Sequence, residues 1–436
     1  MSELEYVAAI EICSSKIIGA VGKVEPNRQL TILAVEQEEC TDIVRYGIIQ
    51  NPEEVSVKVN RIIEKLNRNK HVSPRKIRNV YVGLTGRSIR SILSDVKIMY
   101  PEQTEVTEEV LKRLRDDART NAPLHNLVVL DVIPRSYVVD KMETSSPKGA
   151  IGKSISASFD IITCRKDLKT NVKKTIDDKL HIGINGYIAT AVAAGNLILS
   201  ESEKQLGCML VDFGAETTTV SIYRKGSLCY LATLPLGGRN ITRDITTLSV
   251  LEERAEEIKR SSGRAIHEGT SSLTVGGIKL ADVNNLVVAR AEEIVTNVIH
   301  QIFYAGLKEK ELPGGIICIG AASNLGGLIE LIESQSSLSA RMGHLPASVV
   351  CVDSKAKRIE AIQIASILAA GAAIGNKECL ELPQIDEYGG EDDFQDEPDT
   401  DYDVPEQPRR GSGLISSLRN KFSKIFAPPE DEQELD

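Results

Sequence analysis

Two short segments of the chain combine residue types that bind phosphate and a divalent cation. Each has one carboxylate followed by small, hydroxyl-bearing or basic residues: Glu11 with Ser14, Ser15 and Lys16, and Asp212 with Gly214, Thr217 and Thr218. Backbone N–H groups and hydroxyls in a tight turn donate to phosphate oxygens without a bulky side chain in the way. Mg²⁺ that is bound with phosphates takes one or two carboxylates, usually through water. The pattern predicts a polyphosphate site in which Glu11 and Asp212 face the metal.

The elements that must position these residues repeat along the chain. Both segments are typical of a strand, a tight turn, a second strand, a turn and a third strand. Glu11 and Asp212 are 201 positions apart, and so are Cys13 and Gly214. A constant offset indicates an internal duplication, which predicts two halves whose turns face each other across a cleft. The alternative is two unrelated hairpins whose acids merely end strands.

Two further segments are candidates for contact with a nucleoside. Residues 314–324 form a buried strand, a small-residue turn with Gly320 and Ser323, and the start of a helix predicted at Leu325. Such a turn admits close approach of a ligand to backbone, although packing alone also favours small residues there. Glu256 and Lys259 lie three positions apart on a predicted helix, a spacing whose default interpretation is a surface ion pair.

Composition limits the classes of function. The chain has 436 residues, 26% charged and 42% hydrophobic, with a net charge of -10. This length allows two to four folded domains, and the acidic balance argues against nucleic acid as a partner. The N-terminus lacks the basic and apolar regions of a signal peptide, so we expect a cytoplasmic protein. Eight cysteines without close pairs and six scattered histidines predict neither disulfides nor a zinc site.

The last sixty residues differ in composition from the rest. A break near Asn376 predicts the end of the folded body, and residues 381–408 hold twelve acids, four prolines and no Lys or Arg. Such a segment cannot offset the entropy of ordering, which predicts a solvated linker.

An amphipathic helix is predicted after this linker. Six apolar residues fall within an arc of about 120° of a helix, with two basic residues at the margins. They are Leu414, Ile415, Leu418, Phe422, Ile425 and Phe426, with Arg419 and Lys421. The segment is too short to span a bilayer, so the pattern favours a helix lying on an anionic membrane surface. The alternatives are a helix that fills a partner's groove or docks back on the body.

The motifs, taken in order, carry a family resemblance. The two phosphate segments are followed by Gly-Gly-Arg-Asn-Ile-Thr-Arg-Asp at 237–244, Ala-Glu-Glu-Ile-Lys at 255–259 and Gly-Ala-Ala at 320–322. This order over residues 5 to 376 resembles the FtsA family of bacterial cell-division proteins, of the actin-like ATPase superfamily. The resemblance implies an α/β chain with an actin-like, ribonuclease H-like duplicated two-domain fold, a nucleotide cleft and a small α+β inserted subdomain.

The resemblance also implies ligands and partners. Ser14, Ser15 and Lys16 match the first phosphate loop, Gly214, Thr217 and Thr218 the second, and Glu256, Lys259, Gly320 and Ser323 the adenosine motifs. The cofactors would be ATP and Mg²⁺, with at most slow hydrolysis and a primarily structural role. The partners would be the FtsZ C-terminal tail, further copies of the chain as filaments, later divisome proteins and an anionic membrane. The implied place is the cytoplasmic face of the inner membrane at the division site.

The chain departs from the family pattern around the cleft. Glu11 stands where the family usually has Asp, Cys13 where it has Gly, and Ala215-Glu216 where it has Gly-Gly. Ala321 and Ala322 also replace glycines. Extra Cβ atoms and a carboxylate near phosphate predict weakened nucleotide binding.

The resemblance gives expected domain limits. The first half would comprise 1–80 and 166–205, the inserted subdomain 81–165, the second half 206–248 and 310–376, and a helical subdomain 249–309. The linker would cover 377–410, the membrane helix 411–427 and an acidic tail 428–436. Two other functions stay open: a small-molecule kinase of the same superfamily, which needs a catalytic base such as Glu201 or Glu203 beside the cleft, and an actin-like pilus-assembly protein.

Overall fold

The structure is a computed structural model that describes residues 5–27, 29–267, 273–375 and 378–383. The predicted membrane helix, the acidic tail and the linker beyond residue 383 lie outside the described residues. Its strands are β1 Tyr6–Ile12, β2 Lys16–Val24, β3 Leu30–Glu39, β4 Val44–Arg45, β5 Ile48–Ile49, β6 Lys76–Ile77, β7 Asn79–Leu84, β8 Arg90–Glu105, β9 Leu127–Val139, β10 Met142–Thr144, β11 Ile151–Arg165, β12 Gly183–Ala189, β13 Cys208–Phe213, β14 Thr218–Arg224, β15 Ser227–Leu234, β16 Thr274–Val275, β17 Ile278–Lys279, β18 Ile316–Ile319, β19 Ala340–Met342, β20 Val349–Cys351 and β21 Leu380–Glu381. Its α-helices are α1 Pro52–Arg68, α2 Glu108–Asn121, α3 Lys166–Lys173, α4 Thr190–Ile198, α5 Glu201–Leu206, α6 Gly238–Thr246, α7 Glu252–Ser262, α8 Leu280–Tyr304, α9 Leu328–Ser336 and α10 Ile362–Ile374.

Two sheets share one topology. In the first, β3, β2 and β1 form an antiparallel meander, and β7 and β12 follow β1 in parallel. In the second, β15, β14 and β13 form the meander, and β18 and β19 follow in parallel. The registers also match, because Glu11 pairs with Ile18 and Asp212 with Thr219. The predicted duplicated α/β fold is confirmed.

Apolar strands and helices form two cores, and the first also takes in buried side chains of the second sheet such as Leu210 and Ile317. β1 and β2 are almost wholly buried, as continuous apolar runs in a sheet covered by helices should be. α1 packs against β2 and β3, while α10 packs against α4 and against β1, β2 and β7. A second core gathers β13, β14 and β18 with α6, α7 and α8. Each cleft residue at a strand end is therefore held by a rigid element.

The inserted subdomain has a third core and extends the second sheet. Its antiparallel strands β10, β9, β11 and β8 pack with α2, whose N-cap is Thr107. β8 then joins β15 through the pair Arg90 and Ala232, which produces a nine-stranded sheet. The Arg135 guanidinium holds Asp160 within the subdomain and donates to the Cys229 carbonyl on β15. The subdomain is thus bonded to the second half as well as being inserted in the first.

The chain after residue 348 returns to the first half, which corrects the expected assignment of 310–376 to the second. β20 pairs with β3, and α10 packs in the first core, where Ile367 lies beside Gly83. The folded body also extends past Asn376, because β21 pairs with β6 and Cys379 is buried. Apolar burial has no direction, so the sequence of α10 does not reveal which core it completes.

Other boundaries differ locally. Tyr81 lies on β7 in the first sheet, so the inserted subdomain starts after Leu84. Residues 190–206, which carry the candidate bases Glu201 and Glu203, form two helices, since Ser200 caps α5 through Glu203 in a capping box. The helix predicted from Leu325 begins at Leu328, after a 3₁₀ turn over Ala321–Asn324. Within the described ranges, none of the helices is long and apolar enough to cross a membrane.

Candidate functional site

The two repeated turns face each other across a cleft between the halves. In the first turn the Cys13 N–H donates to the Lys16 carbonyl, and in the second the Gly214 N–H donates to the Thr217 carbonyl, each at 2.9 Å. These are equivalent positions of the duplication, so the same local geometry forms twice. The cleft has a volume of about 600 Å³ including its open mouth, and its lining includes Glu11, Ser14, Ser15, Lys16, Asp212, Gly214, Glu216 and Thr217.

Two carboxylates meet at the floor of this cleft. Burial, followed by the charge of Asp212, raises the pKa of Glu11 to about 7. Burial also raises the pKa of Asp212 to about 6, although Gln363 donates to its Oδ1 at 2.9 Å. No group of three or more His, Cys, Asp and Glu suited to a metal is found in the described part of the chain. Two carboxylates are the number that Mg²⁺ usually takes from a protein when waters and phosphate oxygens supply its other ligands.

Some hydroxyls of the two phosphate turns line the cleft, whereas others hold the turns in place. Ser15 is exposed to the cleft, and the buried Ser14 hydroxyl accepts the Gly47 N–H at 3.1 Å. Thr217 also lines the cleft. The Thr218 hydroxyl is buried and donates to the Leu236 carbonyl at 2.8 Å, so this residue braces the turn.

The turns leave room for a ligand close to backbone. A Cβ on Gly214 would stand 2.7 Å from the Thr217 carbonyl oxygen, which the compact turn does not allow. Cys13 lines the same cleft, and burial raises the pKa of its thiol well above the usual range. Cys13 is therefore a neutral small side chain there.

Glu256 and Lys259 form more than a surface pair. The Lys259 side chain is only 11% exposed, and its ammonium donates to Glu256 at 2.6 Å, Thr242 at 2.9 Å and the Gly238 carbonyl at 3.0 Å. Burial lowers the pKa of Lys259 although Glu256 opposes the shift. The pair fixes the start of α6 against α7 and places Lys259 beside Gly238.

The small-residue turn after β18 lies close to both Asp212 and Gly238. Gly320 has φ of +90°, and a Cβ there would lie 2.3 Å from the Asp212 Oδ1. The Ser323 hydroxyl donates to the Gly320 carbonyl at 2.6 Å, which holds the turn. A Cβ on Gly238 would lie 2.9 Å from Ala322 and 3.4 Å from the Lys259 ammonium. The two predicted nucleoside motifs therefore converge on Gly238, next to the second phosphate turn.

Several cleft residues were missed by the sequence reasoning. Gln363 binds Asp212 from α10, and Gly47 and Thr85 line the phosphate end from loops of the first half. None of them has a local motif. Glu216 was noted only as a departure, yet its carboxylate is 2% exposed and accepts the Tyr46 N–H at 2.7 Å.

Neither candidate for a kinase base lies in the site. Glu203 caps α5 and binds Arg341, and Glu201 pairs with Lys204. Neither carboxylate lines the cleft.

Comparisons with known proteins agree with this geometry. A family model described as "Cell division protein FtsA" matches residues 209–369, and one described as "SHS2 domain inserted in FTSA" matches residues 86–163. The cell division protein FtsA of Porphyromonas gingivalis is 30% identical over 337 residues, which cover 74% of this chain and 70% of that protein. The FtsA of Bacillus subtilis is 26% identical over 347 residues, which cover 76% of this chain and 77% of that protein.

A solved structure shares the fold. The one titled "PilM-PilN type IV pilus biogenesis complex" superposes with a TM-score of 0.59 over 85% of this chain and 98% of that chain, at 16% identity. At that identity the likeness concerns the fold alone. Duplicated sheets, an inserted subdomain and a cleft between matching turns define an actin-like protein. Within this class, the chain belongs to the FtsA family of cell-division proteins.

Proposed function

We propose that the chain binds ATP with Mg²⁺ in this cleft and acts as an adaptor that polymerises on the membrane. It would tether FtsZ filaments to the cytoplasmic face of the inner membrane at the division site and recruit later division proteins. The observation that carries the proposal is the pair of equivalent turns facing each other, with Glu11 and Asp212 between them. Bound Mg²⁺ would neutralise phosphate charge beside these two carboxylates.

The roles of the chain's own residues follow from their positions. Ser15, Thr217 and the backbone of both turns would donate to phosphate oxygens, and Lys16 would supply a positive charge. The turn at Gly320 and the Lys259 region would receive the nucleoside next to Gly238. Since the ligand contacts both halves, it binds the closed cleft more tightly than the open one and shifts the equilibrium towards closure.

Membrane attachment is supported by the residues beyond the described part. The apolar stripe and its two flanking basic residues favour insertion at an anionic interface, where each nearby basic residue contributes roughly 1 kcal/mol. The acidic linker would keep the acidic body away from anionic lipid. The FtsZ tether rests on family membership, with the helical subdomain around α7 and α8 as the proposed receiver of the FtsZ tail.

Co-sedimentation with anionic liposomes tests the adaptor. The full chain and a truncation after Arg410 are compared, each with and without Mg-ATP. A Leu418→Asn/Phe422→Asn variant keeps the net charge of the tail and removes part of the apolar stripe. We expect only the full chain to pellet with liposomes, and equal pelleting of all three proteins would refute tail-dependent binding.

Isothermal titration calorimetry with Mg-ATP tests the cleft separately. Lys16→Met should weaken binding at least tenfold, because it removes a charge beside phosphate. Lys204→Met is the matched control, since Lys204 pairs with Glu201 outside the cleft. Equal affinity of the Lys16 variant and the unmodified chain would contradict the assignment of the phosphate site.

A further inference from the structure

Glu216 is an unusual residue for the turn that it occupies. It lies between Gly214 and Thr217 in the second phosphate turn, lines the cleft and is 2% exposed. One carboxylate oxygen, Oε2, accepts the Tyr46 N–H at 2.7 Å. The other, Oε1, has no hydrogen bond and lies 3.5 Å from Arg239 Nη1 and 3.6 Å from Arg243 Nη2. An unbonded oxygen on a buried carboxylate costs free energy, which the two nearby guanidinium charges offset in part.

The groups around Glu216 come from both halves of the molecule. Tyr46 belongs to the first half, whereas Arg239 and Arg243 lie on α6 of the second. Arg239 also reaches across to Asp42, with 3.2 Å between Nη2 and Oδ1. We call Asp42, Tyr46, Glu216, Arg239 and Arg243 the seam. This cluster of charged and polar groups joins the two halves across the cleft.

The seam lies at the phosphate end of the cleft. Tyr46 precedes Gly47, whose N–H donates to the Ser14 hydroxyl, and both Gly47 and Ser14 line the cleft. The nucleoside end is marked instead by the convergence of Ala322 and Lys259 on Gly238. A phosphate chain that extends from Gly238 between the two turns therefore approaches Glu216 with its last phosphate.

We propose that Glu216 determines specificity for the length of the phosphate chain and favours a nucleoside diphosphate over a triphosphate. This inference rests on the proposed nucleotide binding. When a diphosphate binds, the Glu216 carboxylate stays in the seam. It then keeps its hydrogen bond with the Tyr46 N–H, which joins the two halves. A terminal phosphate brings further negative charge towards Glu216, so the carboxylate must leave the seam or repel the ligand. Once displaced, it would expose Arg239, Arg243 and the Tyr46 N–H to the phosphate.

Calorimetric titration of the full chain with Mg-ADP and with Mg-ATP tests the proposal. Glu216→Gln keeps the shape and a carbonyl acceptor for Tyr46 but removes the charge. We expect this variant to bind Mg-ATP roughly tenfold more tightly than the unmodified chain, with less than a threefold change for Mg-ADP. The matched control is Glu252→Gln, because Glu252 also binds Arg239, at 2.6 Å, without lining the cleft. The control should leave the ratio of the two affinities unchanged.

The outcomes separate this inference from the proposed function. If Glu216→Gln binds both nucleotides with the same ratio as the unmodified chain, the specificity role is overturned while nucleotide binding stands. If no protein binds either nucleotide, the proposed function fails and the specificity role fails with it. Hydrogen exchange at the Tyr46 amide without ligand reports on the seam independently. It should speed up at least tenfold in Glu216→Gly and stay slow in Glu252→Gln; unchanged exchange in Glu216→Gly would overturn the seam itself.

Discussion

At the scale of single residues, duplication forces two acids together. Glu11 and Asp212 occupy equivalent positions of the two meanders, so a fold that brings the repeats face to face also brings their carboxylates face to face. Glu11 is buried and Asp212 is partly buried, and the pKa of each is raised. Between pH 4.5 and about 7, Glu11 in the folded protein therefore retains a proton that the unfolded chain would release.

A pH dependence of stability follows. The pKa of Glu11 rises from 4.5 to about 7. The contribution of its protonated side chain to folding stability is therefore fully present below pH 4.5 and is lost as the pH rises through 7. We expect Glu11→Gln to be more stable than the unmodified protein at pH 8 by on the order of 1–3 kcal/mol. Near pH 5 the two proteins should be alike. Urea unfolding at both pH values, without nucleotide or metal, measures the free energy of unfolding of the two proteins.

Glu257→Gln provides the control for that experiment. Glu257 is exposed and forms an ion pair with Arg254 on the same helix. This variant should follow the unmodified protein at both pH values. A Glu11 variant whose stability falls with pH as steeply as that of the unmodified protein would show that Glu11 is not the titrating group.

At the scale of elements, local patterns were more predictable than long-range partners. The meanders β1–β3 and β13–β15 follow from apolar runs separated by tight turns, and Thr107 marks the start of α2. The residues at the ends of these strands include most of those that line the cleft and that the sequence singled out. Gln363 and the Tyr46 N–H bind the cleft residues Asp212 and Glu216 from elements far away in the chain, and no local spacing encodes those contacts. Their positions depend on how the halves pack.

The turn after β18 gives a prediction about backbone geometry. Gly320 combines φ of +90° with direct packing on Asp212 and Phe213. Gly320→Ala should cost about 3 kcal/mol or more, since strain adds to a clash with backbone. Gly306→Ala is the control, because φ there is +74° with no atom within 4 Å of the added Cβ. It should cost about 1 kcal/mol. Equal losses of unfolding free energy in urea would disprove the close packing of this turn.

At the scale of the whole molecule, the subdomain is inserted in the sequence of the first half but forms hydrogen bonds with the second half. Arg135 links Asp160, which is 1% exposed, to the Cys229 carbonyl of β15. Arg135→Met leaves a buried carboxylate without its partner, which should cost about 3–5 kcal/mol of unfolding free energy. Thermal and urea unfolding of the unliganded chain would measure the loss.

A second ion pair across the same boundary serves as the reference. Lys225 and Glu143 also join the second half to the subdomain, but both are more than half exposed. Lys225→Met should cost less than about 1 kcal/mol. Similar losses for the two variants would mean that the Arg135 link is no stronger than an ordinary surface pair.

The return of the chain to the first half has a mechanical consequence. Glu378 accepts the backbone N–H groups of Glu5 and Tyr6, and β21 pairs with β6. A pull on the chain beyond residue 383 would therefore load the first half directly. It would strip the two-residue β21 before it strained α10, and force would reach the second half only after the first. The same contacts hold Glu5 and Tyr6 beside Glu378, so a tether attached at either of these two places would pull on the same part of the first half.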